Sequence, residues 1–151
     1  MNRIVSLALS ITLAFTVGAA SAASPEQEKA FVESYRTAFE AQDADALYAL
    51  LFVEGAIPEA VDFYKSSMVA DFGQKISEIS LQDLTAEEVT EAGETMPTPD
   101  GGLAVLRPKP YKKIVIKIDT SDANGTSTST NTGFVAEKDG KIGISVPAPA
   151  P

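Results

Sequence analysis

The chain has 151 residues and a formal charge of −9 at pH 7, from 12 Lys and Arg against 21 Asp and Glu. It holds no cysteine and no histidine. Disulfides, cysteine nucleophiles, thiolate metal sites and a lipid-modified cysteine are therefore excluded, and zinc chemistry and serine catalysis lose their usual side chains. A chain this acidic repels phosphate backbones and anionic lipid, so nucleic acid is not an expected partner.

Met1-Asn2-Arg3 precedes an uncharged, largely apolar run from Ile4 to Val17, a break at Gly18 and the small-residue step Ala20-Ser21-Ala22. These match the three regions of a secretory signal peptide spanning 1–22, with cleavage after Ala22. The run of 14 residues is too short to cross a bilayer as a helix, which takes ~20; an uncleaved membrane anchor is the rival reading. Loss of Arg3 takes the charge from −9 to −10. The expected product is a periplasmic or secreted domain over 23–146 with a Pro/Ala tail over 147–151, and with no membrane association after cleavage.

Ser24-Pro25-Glu26-Gln27 reads as a helix start, with Ser24 as cap, Pro25 in the first turn and Gln27 closing a capping box. Phe31, Tyr35, Ala38 and Phe39 follow at helical spacing. Asp43 or Asp45 can cap a second short helix holding Leu47, Leu50 and Leu51. Pro58 opens a third, with Val61, Tyr64, Met68 and Phe72 in one stripe and Gly73 placed to end it.

The period then changes. Lys75–Leu84 alternates as a strand, and Thr85-Ala86-Glu87-Glu88 predicts a short helical turn. Met96–Gly102 reads as a loop and Leu103–Leu106 as a short strand stopped by Pro108 and Pro110. Lys113–Asp119 alternates with Ile114, Ile116 and Ile118 on one face and Lys113, Val115 and Lys117 on the other. Asn124-Gly125 and Asp139-Gly140 mark hairpin turns around a threonine-rich strand. Ile142, Ile144 and Val146 form a last one-faced strand, and the proline tail is expected to be extended and unpaired. Helices first and hairpin-linked strands after predict an α+β fold, with N-terminal helices packed on a curved antiparallel sheet.

The opening helix, the Asp43-Ala44-Asp45-Ala46-Leu47 step, the third helix and the closing sheet resemble the NTF2-like superfamily, over roughly 25–146. The segment Tyr111–Val146, with its Glu137-Lys138-Asp139-Gly140-Lys141 turn, is similar to small exported bacterial members. The resemblance implies a cone in which the first helix lies across a bent sheet and a pocket opens between them. Tyr35, Phe39, Tyr64, Met68 and Ile116 are the ligand-binding residues expected there; ordinary core is the competing reading for the same stripes. Enzymatic members often carry a histidine in the cone, which this chain lacks.

Three readings follow. The first is a non-catalytic domain that binds an apolar small molecule or a protein partner, without cofactor or metal. The second is an isomerase or dehydratase with Asp43 or Asp62 as base and Tyr35 or Tyr64 as donor. The third is a homodimer formed through the outer sheet face. The acidic run Glu87, Glu88, Glu91 and Glu94 reads as a solvated helix face rather than a calcium site. Arg107, Lys109, Lys112, Lys113 and Lys117 read as protection of a strand edge rather than an anion site. For the export reading, amino-terminal sequencing of the protein recovered from outside the cytosol is expected to begin at Ala23; a product retaining Met1 would establish the anchor instead.

Overall fold

The computed structural model describes residues 23–151; the signal-peptide reading of 1–22 lies outside them. The elements run α1 (Pro25–Glu40), α2 (Ala44–Tyr48), α3 (Pro58–Val69), β1 (Lys75–Asp83), α4 (Ala86–Gly93), β2 (Met96–Pro97), β3 (Leu103–Arg107), β4 (Lys112–Asp122), β5 (Gly125–Lys138), β6 (Lys141–Ile144) and β7 (Val146–Pro149). The fold is α+β, with the helices set against antiparallel sheet.

Local chemistry starts the helices where the sequence places them. Ser24 Oγ accepts from Gln27 N at 3.2 Å and Gln27 Oε1 accepts from Ser24 N at 2.8 Å, a complete capping box. Asp43, not Asp45, caps α2 by accepting from Ala46 N at 3.0 Å. The second helix is shorter than expected, and Leu50 and Leu51 fall beyond it. Thr85 and Glu88 form a second capping box, and the expected single turn extends to the eight residues of α4.

One sheet has the order β1-β4-β5-β6 and a second the order β2-β3-β7. Ile114, Ile116 and Ile118 on β4 face Phe31, Tyr35, Phe39, Leu47 and Met68 from the helices, and Leu51, Ile76, Val135, Ile142, Ile144 and Val146 complete the core. Each large apolar side chain buried there contributes about 1.5–3 kcal/mol. A bulge between Ile76 and Glu78 bends β1.

Several expectations change. β4 is an interior strand, so its lysines protect no edge. They are paired instead: Lys112 with Glu28 at 3.0 Å, Lys113 with Glu88 at 2.5 Å and Lys117 with Glu78 at 2.6 Å. Val115, on the face of Lys113 and Lys117, is also buried. The loop 96–102 opens with β2, which pairs with β3.

The last strand is two. Ser145 is fully buried, donating from N to Phe134 O at 2.9 Å and from Oγ to Pro108 O at 2.8 Å, and there the chain passes from one sheet to the other. The tail is extended but paired: β7 runs along β3 with Val105 opposite Ala148 and Leu106 opposite Pro147. Alternate residues of an antiparallel strand turn their N–H toward the same neighbour. Ala150 N donates to Leu103 O at 2.8 Å, so the alanines supply the donors and Pro147 and Pro149 occupy the positions that need none.

β6 leans on the segment after α2. Ile144 N donates to Leu50 O at 2.8 Å and Phe52 N to Ile144 O at 3.0 Å. A Cβ on Gly143 would lie 2.8 Å from Leu50 O and 2.9 Å from the Phe52 ring. Gly143→Ala is therefore expected to destabilise the fold by about 1–3 kcal/mol, seen as a lowered urea midpoint; an unchanged midpoint would show that this approach is loose.

Candidate functional site

Between α3 and the sheet lies an open groove of about 540 Å³. α1 supplies Tyr35, α3 supplies Phe63, Tyr64 and Met68, and the turn after it supplies Asp71. Ile114 and Ile116 of β4 and Ile144 of β6 form the apolar floor, and Thr130–Gly133 of β5 form the far rim. The groove exists because β6 pairs only with Val135–Lys138, leaving the preceding half of β5 without a second neighbour among the described residues. Gly133 adds to the space: a Cβ there would meet Ile114 and Ile144 at 3.5 and 3.8 Å, ordinary contact distances.

Of the five residues expected to bind a ligand, Tyr35, Tyr64, Met68 and Ile116 lie together on this groove. Phe39 does not. It is 2% exposed and packs edge-on against Phe72, ring centres 5.6 Å apart. Phe39 lies one turn beyond Tyr35 on α1, and Phe72 fills the space beside it.

The two groove tyrosines differ from Tyr111, just before β4, whose hydroxyl donates to Glu28 Oε1 of α1 at 3.1 Å. Neither the Tyr35 nor the Tyr64 hydroxyl bonds another described residue, and neither is sealed away without a partner. Burial and the negative charge of Asp71 push the Tyr35 hydroxyl up to about 12, and burial raises Tyr64. Both remain neutral donors at physiological pH, open to a groove ligand.

Asp43 and Asp62, the carboxylates considered as bases, are exposed and away from this groove; Asp43 is occupied capping α2. The carboxylate that does line it is Asp71, half-buried, with Oδ2 accepting from Asn131 Nδ2 at 3.1 Å. An apolar stripe alone does not single it out in the sequence. Tyr64, Met68 and Asp71 stand at i, i+4 and i+7, so the spacing that grouped the first two also reaches the third. The acidic residues Glu87, Glu88, Glu91 and Glu94 lie on or just after α4, and no metal-holding cluster occurs among the described residues.

A larger hollow of about 990 Å³ lies where the two sheets meet, beside Leu51–Gly55, Arg107 and Pro149. Two of its cations are already engaged: Lys138 with Glu54 at 3.3 Å, and Lys141 with Ala49 O at 3.0 Å and the Phe52 ring at 5.7 Å. It contains no tyrosine hydroxyl, and the groove beneath α3 is the better candidate.

Tyr35 gives a direct check on that environment. The folded chain holds its proton more tightly than the unfolded chain, so its contribution to stability is complete below pH 10.0 and is lost as pH rises toward about 12. Denaturant unfolding is expected to show wild-type protein losing stability over that window more steeply than Tyr35→Phe. Parallel curves would mean that Tyr35 titrates as an ordinary phenol.

No family model matches the chain, and no curated protein matches it. Among solved structures, a candidate polyketide cyclase from Xanthomonas campestris pv. campestris aligns at 18% identity over 82% of this chain and 90% of that one, with a TM-score of 0.40. At that level of likeness, function has to be read from this chain's own residues.

Proposed function

We propose that this chain is an exported, non-catalytic domain that holds a small apolar molecule in the groove between α3 and the sheet. The observation that carries this is a cavity of about 540 Å³ with an isoleucine floor and two tyrosine hydroxyls that have no partner among the described residues. The size falls within the ~300–1,000 Å³ typical of small-molecule sites, and mostly apolar walls with a few polar groups are the usual composition of such sites. The order of helices and antiparallel strands supports an NTF2-like cone as the framework, and the signal-like segment 1–22 supports export. The enzymatic reading is weaker, because Asp43 and Asp62 point into solvent outside the groove lining and Asp43 is engaged in capping α2.

Titration with the neutral fluorophore N-phenyl-1-naphthylamine is expected to give saturable enhancement. Gly133→Val, which places two methyl groups against Ile114 and Ile144, is expected to weaken binding at least about tenfold, the loss of ~1.4 kcal/mol of contact, without unfolding the chain. Saturable binding that Gly133→Val leaves untouched would place the ligand elsewhere, and no binding at all would end the proposal.

A further inference from the structure

Among the described residues, Asp71 is the only charged one that lines the groove. Its Oδ2 is held by a neutral amide, Asn131 Nδ2 at 3.1 Å, and no Lys or Arg pairs with it among the described residues. Three basic side chains on elements around the groove make other contacts. Arg36 on α1 reaches Ile76 O at 3.3 Å and Glu40 at 3.5 Å, and Lys65 on α3 sits over the Tyr48 ring at 5.1 Å. Lys113 on β4 is taken by Glu88 at 2.5 Å. A small recess of about 250 Å³ shares Tyr64, Thr132 and Gly133 with the groove, and after that ion pair it presents one further carboxylate, Glu91.

The walls suit the opposite sign. Tyr35, Phe63 and Tyr64 surround the same space, and the face of an aromatic ring attracts a cation. An anionic head group would instead meet Asp71 with no positive partner, in a half-buried site where a like charge is poorly screened. We infer that the groove selects an apolar molecule bearing a positive charge, its cationic end at Asp71 and its body along Ile114, Ile116 and Ile144. This rests on the binding reading above and adds the charge of the ligand to it. The ligand class is an amphipathic amine rather than a fatty acid.

The test uses three competitors with the same alkyl chain, dodecylammonium, dodecanol and dodecanoate, each below its micelle concentration, displacing N-phenyl-1-naphthylamine from the folded domain. Dodecylammonium is expected to compete on the order of tenfold better than dodecanoate, with dodecanol between them. Asp71→Asn removes the charge at constant shape and should bring the three together. Asp139→Asn, the same charge change in the β5–β6 turn and outside the groove lining, should leave the order intact and so separates the local carboxylate from the acidity of the whole chain. Should Asp71→Asn fail to fold, salt serves instead: raising ionic strength on the wild-type protein should compress the ratio.

Equal competition by all three chains, or an order that Asp71→Asn does not change, overturns the charge inference and leaves the groove as a neutral apolar site. Failure of every competitor and of the fluorophore itself overturns both readings together.

Discussion

The packing of the helices against the isoleucine face of β4 is the contact on which the rest depends. Ile114, Ile116 and Ile118 are at most 4% exposed and meet α1 and α3 from one side. Remove that contact and α1 has nothing to cover Tyr35 and Phe39, β1 loses the neighbour that gives it register, and the hairpin to β5 loses its base. The face is continuous because side chains of a strand alternate, so three isoleucines two residues apart make one wall.

The groove follows from unequal strand lengths. β5 has 14 residues and β6 has 4, so β6 covers only the last turn of the ladder. Where β6 is missing, α3 would have to close directly on β5, and it does not. Gly133 and the short polar residues Thr130 and Asn131 fill too little of the gap. The molecule thus keeps an apolar floor in contact with solvent, which a fold with a longer final hairpin would have sealed.

Charge is handled in two ways within a few residues. The lysines of β4 each find a carboxylate from α1, α4 or β1, which lashes those elements to the central strand. Such partly exposed pairs each add roughly 0–1 kcal/mol, and they neutralise Lys112 on the isoleucine face and Lys113 and Lys117 on the opposite one. Asp71, by contrast, is left with an amide for company. The pairing of every β4 lysine leaves that carboxylate as the unanswered charge in the groove.

Much of the architecture was legible because it is local. Ser24, Asp43 and Thr85 announce helix starts through caps formed within four residues, Gly73 marks the end of the α3 stripe with φ 86°, and Asp139-Gly140 turns the chain with φ 55° and 78°. Tyr35, Tyr64, Met68 and Ile116 are grouped by periodicity together with the helix-over-sheet cone that the resemblance to NTF2-like proteins implies. Phe39, one turn on from Tyr35, was grouped with them by the same spacing, and only the position of Phe72 moved it into the core. Whether β4 is an edge or a centre depends on which strands pair, and no alternation pattern carries that; its lysines look the same in both places. The break at Ser145 and the pairing of the proline tail depend on Phe134, Pro108 and β3, all distant in the chain. Composition and short-range spacing thus settled the type of most segments, because caps, turns and periodic faces act within a few residues. Tertiary structure alone decided which segments touch, where the groove opens and that Asp71 faces it, because those depend on contacts that close loops of tens of residues.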